Sequence, residues 1–321
     1  MVKLHPDLLS ISEFFTSLSS QAFRGSRMSG AAVVERLGTL SAAGQALLKN
    51  DLKVDEFLYP LGPGARYSAE DVPPILCTAL PHLTDQHEAL WDELAEVLRN
   101  RVDGTLAEHY RFVFDWLAGR FNKKAWLERS GASLLFVPIL ARFFPDARFV
   151  HIFRDGRDTA LSMYRHHFFR LRVQSWQQLS RVGLDAMHPF NLPGVSPWVP
   201  FFENLMFRHF DADRYRRTEM PVAAFGAYWS SMIERGLGYL QALPPERVLV
   251  LRYESILSDP KAELSRFINF VGTEFENQAW LDAAAAMPVT KAPAWHALDA
   301  TTQAQLTEAC APGMIRLGYS V

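Results

Sequence analysis

Cysteine is nearly absent from this chain: Cys77 and Cys310 are the only two in 321 residues. They stand far apart and show no C-x-x-C spacing, which excludes a disulfide framework and a structural zinc site and fits a reducing, cytoplasmic setting. An excess of one charge is also lacking. The formal net charge is −2, so the concentrated basic face that grips a phosphate backbone is not expected, and neither is a nucleic-acid partner. Long apolar runs are missing too. The longest, near Ala132 to Leu140, falls well short of the ~20 residues that span a bilayer, and the first residues carry no signal-peptide pattern. No repeat or low-complexity tract is visible. With 49% of its residues hydrophobic, the chain has enough apolar surface for a large core, and a single domain over 1–321 is expected.

Helical periodicity recurs between short β-branched runs, which predicts an α/β protein. Leu90, Leu94, Val97 and Leu98 make one helical face, introduced by Asp85 with Glu88 three residues on, in the manner of a capping box. A second helix is predicted over roughly Leu106 to Phe121. Lys124 to Glu128 reads as a short strand, Leu134 to Phe143 as a helix and Arg148 to Phe153 as a strand. This strand, helix, strand, helix order requires a parallel sheet with right-handed crossovers and helices on its faces, a three-layer arrangement. Pro221 to Leu243 reads as a long helix and Arg247 to Arg252 as a buried strand ending at Tyr253. Asp259 and Pro260 then supply an N-cap and a first-turn proline for a helix with the face Leu264, Phe267, Ile268 and Val271, stopped at Gly272.

Between Arg165 and Pro221 the pattern is least regular and rich in aromatics and prolines: Phe168, Phe169, Trp176, His188, Pro189, Phe190, Pro193, Pro197, Trp198, Pro200, Phe201 and Phe202. A segment of this kind reads either as a lid over an acceptor site or as a plain structural excursion packed on the core.

The most informative stretch runs from Phe144 to Arg165. A strand ends at Arg154 and feeds a helix whose first turn offers unpaired N–H groups, with Ser162 two turns on; the combination suits a phosphate. In an open parallel sheet, ligands sit at the C-terminal strand ends. Three such ends are polar here, Glu128/Arg129, Arg154 and Arg252/Tyr253, and their convergence is an expectation for the structure to test.

These residues resemble the sulfotransferases that use 3′-phosphoadenosine-5′-phosphosulfate (PAPS). Arg154 and Ser162 match the spacing of that family's 3′-phosphate motif. Val248 to Pro260 resembles its later strand, R-Y-E-x-L, and the D-P helix start, which places Tyr253 near the nucleotide. Trp126 to Gly131 loosely resembles W-x-E-K-T/S-P, with Arg129 in the lysine position and Gly131 in place of the proline. His5 to Glu13 resembles the H-P-x…E segment that follows the phosphosulfate loop, with Glu13 as the base. Lys291 with Leu298 resembles a K-x₆-L stretch that closes over PAPS. The resemblance implies a P-loop-kinase-like three-layer parallel sheet and transfer of a sulfuryl group to a hydroxyl or amine of a small-molecule, glycan or peptide acceptor, without a metal. It implies catalytic roles for Glu13 and Arg129, and PAPS-binding roles for Arg154, Ser162, Tyr253 and Lys291. The family's opening strand and its P-R-S-G-T-T-like cradle for the 5′-phosphosulfate have no counterpart, so the first strand is expected to be absent.

Each assignment has a plainer alternative. Arg154 pairs with Asp155 or Asp158 while Ser162 bonds back inside its helix; Glu13 is an acid at a helix start; Arg129 pairs with Glu128; Tyr253 is a core tyrosine. Arg24 to Ala32 has the G-x-x-x-x-G spacing of a Walker loop but lacks the Lys-Ser/Thr and a preceding strand. The Asp211-Ala212-Asp213 triplet has the pattern of metal-dependent glycosyltransferases, but so short a pattern arises often by chance and the charged patch His209 to Arg217 around it is readily explained as solvated surface. A third alternative is a truncated, inactive nucleotide-binding protein, in which the half-site at Arg154 survives without the sulfuryl cradle.

Overall fold

A computed structural model describes residues 1–131, 133–187 and 199–321. Six short strands are present among them: β1 Leu8–Ser12, β2 Arg27–Met28, β3 Gly104–Thr105, β4 Ala125–Arg129, β5 Phe149–Phe153 and β6 Val248–Arg252. β1 pairs in parallel with β4, Leu8 opposite Ala125 and Ser12 opposite Arg129. β5 pairs in parallel with β6, Phe149 opposite Val248 and Phe153 opposite Arg252. β2 and β3 form a small antiparallel pair.

The expected parallel α/β architecture is there, but the ladder is divided. β4 and β5, consecutive in the chain, bond to β1 and β6 rather than to each other. The two pairs nevertheless belong to one layer. Leu8 of β1, with Ala125 and Leu127 of β4, joins the same apolar cluster as Val150 of β5 and Leu249 and Leu251 of β6. On the opposite face Leu9, Ile11, Trp126 and Phe149 enter a second cluster. This is the period-2 alternation of a sheet with helices on both sides. Helices α1 Phe14–Leu18, α2 His87–Arg99 and α3 Leu106–Arg120 cover one face. Helices α7 Tyr253–Ser258 and α8 Pro260–Val271 contribute Ile256, Leu264, Phe267 and Ile268 to the other.

Leu8–Ser12 is a strand that the sequence reading took only as the approach to Glu13. Every residue of it is buried. It leads through Glu13 into the short helix α1 and not through a glycine-rich loop.

A third cluster joins α4 Gly156–Arg165, α6 Val222–Gln241 and α9 Ala300–Arg316 through Ala160, Met163, Phe225, Trp229, Met232, Ile233, Leu306, Cys310 and Met314. Gly156, the first residue of α4, lies so close to Trp229 that a Cβ there would come within 2.2 Å of its ring. This contact docks the start of α4 on the core.

Local signals explain several boundaries. Asp259 accepts from Ala262 N–H and caps α8, whose first residue is Pro260. The capping box, however, is Thr105 with Glu108 at the head of α3. Gln86, not Asp85, precedes α2, and Glu88 takes a hydrogen bond from Tyr59 instead. The stretch expected to be irregular carries α5 His167–Arg181, whose Trp176 packs on Tyr228, and the shorter helices Val199–Phe207 and Ala212–Arg217. His188, Pro189, Phe190, Pro193, Pro197 and Trp198, the heart of the expected lid, lie outside the described residues.

The two alternative motifs are structural. Gly30 of the Walker-like run opens a helix packed against the Leu98 carbonyl, which a Cβ would approach to 1.8 Å. Asp211 caps the helix Ala212–Arg217, and Asp213 pairs with Arg216 at 3.2 Å.

Candidate active site

β5 delivers Arg154 to the head of α4. Asp155 is the N-cap and accepts from Arg157 N–H. Its carboxylate also takes the Arg157 guanidinium, at 2.6 and 3.0 Å. Asp155 is therefore satisfied by Arg157, and Arg154 is left to weaker partners: Thr159 Oγ1 at 3.3 Å and the Asp158 carbonyl at 3.5 Å. Arg154 makes no ion pair among the described residues, so its charge is available to an anion. Ser162, four residues beyond Asp158 and so on the same face of α4, is exposed.

The end of β6 is tied to this point. Asp155 N–H donates to Glu254 Oε1 at 2.9 Å, and Tyr319 donates to Glu254 Oε2 at 2.8 Å. The Arg252 guanidinium lies 3.8 Å from the Tyr319 ring centre. Tyr253, next to Glu254, opens α7 and is 37% exposed, unlike a core tyrosine. The C-terminal segment is laid against the same helix start. Trp295 N–H donates to Asp158 Oδ1 at 3.1 Å, and its ring lies 3.9 Å under the Arg157 guanidinium. Lys291, on the approach to Trp295, is exposed.

A second group forms where β1 and β4 end. Glu13 follows β1 in the left-handed conformation, φ 52° and ψ 32°, which a non-glycine residue holds only when its surroundings over-determine it. Its N–H donates to the Arg129 carbonyl at 2.8 Å, and its carboxylate accepts from Gly131 N–H at 3.1 Å. Glu128 Oε1 accepts from Phe14 N–H at 3.0 Å, from Phe15 N–H at 3.5 Å and from the Ser130 hydroxyl. Arg129 does not pair with Glu128. Its Nε donates to Ser10 Oγ at 3.0 Å and its Nη2 meets His82 Nε2 at 3.0 Å.

The electrostatics of this group are those of crowded acids. Burial pushes the Glu128 carboxyl up to about 7, aided by the Glu13 charge and opposed by the Ser130, Phe15 and Phe14 donors. Burial also raises Glu13, with the Glu56 charge adding to the rise and Thr16, Gly131 and Arg129 opposing it. His82 is driven down to about 4 by burial and by the Arg129, Lys3 and N-terminal charges. A carboxyl kept above its ordinary range suits a proton acceptor near neutrality.

Of the three strand ends, the structure brings Arg154 and Tyr253 together through Glu254, and Glu13 and Arg129 together through β1 and β4. Helix α4 connects the two groups. It starts beside Arg154 and ends at His166, whose Nε2 is 3.1 Å from Glu56 Oε2, and Glu56 is the acid whose charge is felt at Glu13. Sequence reasoning did not find Glu56, His82, Arg157, Trp295 or Glu254. Glu56 sits in an irregular loop 43 positions from Glu13, and no local pattern marks it.

No curated protein matches the chain by sequence. Three solved structures similar to it are a sulfotransferase from Alicyclobacillus acidocaldarius, the sulfotransferase domain from the curacin biosynthetic pathway, and the sulfotransferase domain from the Synechococcus PCC 7002 olefin synthase. The first is 20% identical over 65% of this chain and 68% of its own, with a TM-score of 0.34. The second is 15% identical over 98% and 97%, at 0.39, and the third 13% over 99% and 96%, at 0.38. Two family models match the sequence, one described as the sulfotransferase family over residues 76–192 and the other as the sulfotransferase domain over 135–287. Together they take in β4, β5, β6 and the Arg154 helix start, and the chain belongs to the sulfotransferase family.

Proposed function

We propose that this protein is a PAPS-dependent sulfotransferase built as one domain, with Arg154 and Ser162 holding the 3′-phosphate, Tyr253 beside the nucleotide and Lys291 reaching it from the C-terminal segment. The observation that carries the reading is the Arg154 guanidinium, which stands at a strand end beside a helix start without a carboxylate partner among the described residues. PAPS, when bound, supplies the sulfuryl group. The chain's own residues then divide the remaining work. Glu13 takes the proton of the acceptor hydroxyl or amine as its oxygen or nitrogen bonds to sulfur, and Arg129 stabilises negative charge on the leaving phosphate oxygen. The acceptor in this reading is a small molecule, glycan or peptide, and the site needs no metal.

A second reading, a nucleotide-binding protein without turnover, is favoured by one observation. The N–H groups of Phe14 and Phe15, which follow β1, are taken by the Glu128 carboxyl, and no glycine-rich loop follows that strand to hold a phosphosulfate.

Calorimetric titration with adenosine 3′,5′-bisphosphate tests the shared part. Binding is expected, with Arg154→Ala weakening it at least tenfold, the effect of losing a charge-assisted contact of ~1.4 kcal/mol or more. Affinity unchanged in Arg154→Ala overturns the assignment. Transfer of radiolabelled sulfur from PAPS to a phenol then separates the enzyme from the binding protein.

A further inference from the structure

Two guanidiniums stand at strand ends of the site, and the chain holds them alike. Arg154 gives Nε to the Thr159 hydroxyl and Nη2 to the Asp158 carbonyl. Arg129 gives Nε to the Ser10 hydroxyl and Nη2 to the His82 imidazole. These partners are hydroxyls, a carbonyl and a ring nitrogen, and Nη1 of each arginine has no hydrogen-bond partner among the described residues. Arg66, Arg120, Arg157 and Arg235, by contrast, are bound to carboxylates. A carboxylate would fix a guanidinium as well, but it would also offset the charge that a second anion needs. A neutral acceptor fixes the direction and leaves the charge.

His82 is the least ordinary of these acceptors. A guanidinium can only donate, so the ring nitrogen that faces Arg129 carries a lone pair, and the ring proton belongs on Nδ1. A protonated ring would instead set a second cation 3.0 Å from Arg129. Burial, then the Arg129, Lys3 and N-terminal charges, hold the imidazole down at about 4, so the acceptor is present at neutral pH. The two holders of Arg129 share one support, since His82 lies on the helix Ala79–Leu83, which packs against β1, and Ser10 is the buried middle residue of β1. Glu13 feels the Arg129 charge, but its carboxylate accepts from Gly131 N–H and makes no ion pair with Arg129 among the described residues. Arg129 itself is exposed, so the held guanidinium remains open to a ligand.

We propose that His82 is a positioning residue for Arg129: its neutral Nε2 fixes the guanidinium at the ends of β1 and β4 and leaves the charge to the 5′-phosphate end of a nucleotide. This role rests on the reading of Arg129 as the group that meets the leaving phosphate.

Two variants separate the acceptor from the bulk of the ring. His82→Leu fills the space and accepts nothing, whereas His82→Gln restores an acceptor oxygen. Calorimetry with adenosine 3′,5′-bisphosphate and with adenosine 3′-monophosphate, which lacks the 5′-phosphate, separates the Arg129 end from the Arg154 end. His82→Leu is expected to weaken the bisphosphate at least threefold, the effect of having to order one long side chain on binding, and to leave the monophosphate unchanged. His82→Gln is expected to recover the loss. Unchanged bisphosphate affinity in His82→Leu, an equal loss for both nucleotides, or no recovery in His82→Gln overturns the proposal.

Two 15N NMR readouts need no nucleotide. In the wild type at pH 7 the His82 ring is expected to show a protonated Nδ1 and a bare Nε2; the opposite tautomer overturns the proposal without any variant. The Arg129 Nη signals are expected to show hindered rotation in the wild type and in His82→Gln and to lose it in His82→Leu, and signals alike in all three overturn it too. If both NMR results come out as expected while neither nucleotide binds, the hold on Arg129 stands and the functional reading falls.

Discussion

Glu128→Gln makes the stability of the fold report on a buried acid of the site. The residue as a whole is only part-buried, but its carboxyl is enclosed, and burial lifts it from an ordinary value of 4.5 to about 7. A carboxyl raised in the folded state binds protons more tightly there than in the unfolded chain. Its contribution to stability is therefore fully present below pH ~4.5 and is lost as pH rises through 7. A rise from 4.5 to about 7 corresponds to about 3 kcal/mol in all, of which about 2.5 kcal/mol falls between pH 5 and pH 8. Other groups titrate in the opposite sense. Burial holds His151 down at about 4, so that imidazole stays neutral in the fold and favours unfolding as pH falls below 6.5. The wild-type profile is therefore a dome, and its raw slope is not diagnostic. The difference between wild type and Glu128→Gln cancels the histidines. Measured by urea unfolding at a series of pH values, the wild type minus the variant should fall by about 2.5 kcal/mol from pH 5 to pH 8. A difference constant to within about 0.5 kcal/mol over that range would show that Glu128 ionises as an ordinary surface acid, and the reasoning from burial would be refuted.

Gly156→Ala should cost about 1–3 kcal/mol, because the new Cβ meets the Trp229 ring at 2.2 Å and α4 must shift; thermal unfolding indistinguishable from wild type would mean that this contact gives way freely. The thiols of Cys77 and Cys310 are both pushed up to about 12 by burial, so neither should react with an aromatic disulfide reagent at pH 8 until the protein is unfolded. Rapid labelling of one thiol in the native state would show that its cluster opens.

The sequence was most legible where structure is specified by neighbours along the chain. α8 announces itself by Asp259, Pro260 and Gly272 because cap, first turn and stop lie within 14 positions. The Arg154 site was legible for the same reason: strand end, cap and helix follow one another without interruption. β1 was not, since its partner lies 117 positions away, Leu8 opposite Ala125, and five residues have no period long enough to tell a strand from a turn. The capping box was misplaced because Asp85/Glu88 and Thr105/Glu108 both precede an amphipathic helix. Only the entry angle of the chain decides which acid turns back to its own N-cap. The neighbours of Arg154 were undecided between Asp155 and Asp158, and the choice fell to Arg157, which takes Asp155 from within the first turn and leaves Arg154 without a carboxylate partner among the described residues. That outcome depends on the Arg157 side chain folding back under the cap with Trp295 stacked on it from the far end of the chain.

The layout of charge along α4 orients any substrate of the proposed reaction. Its 10 residues span ~15 Å, with Arg154 at one end and the Glu56–His166 pair, beside Glu13 and Glu128, at the other. A 3′-phosphate at the acid end would meet the ionised Glu56 and the two raised acids Glu13 and Glu128, and each of these that is ionised within ~6 Å opposes it at an effective permittivity near 20 by about 3 kcal/mol. At the Arg154 end the same phosphate meets a guanidinium that pairs with no carboxylate among the described residues, because Asp155 is taken by Arg157, Asp158 by Trp295 N–H and Glu254 by Asp155 N–H and Tyr319. In the proposed reading the nucleotide therefore enters from the Arg154 end, and the acceptor, which must lose a proton, lies toward Glu13. Arg129 is a cation inside the acid cluster, and Ser10 and His82 already hold its guanidinium. His82 is the partner that can yield, because its imidazole is kept neutral and makes no ion pair with the guanidinium. Exchange of that contact for a phosphate oxygen is a local step that leaves β1, β4 and the Glu13 turn in place.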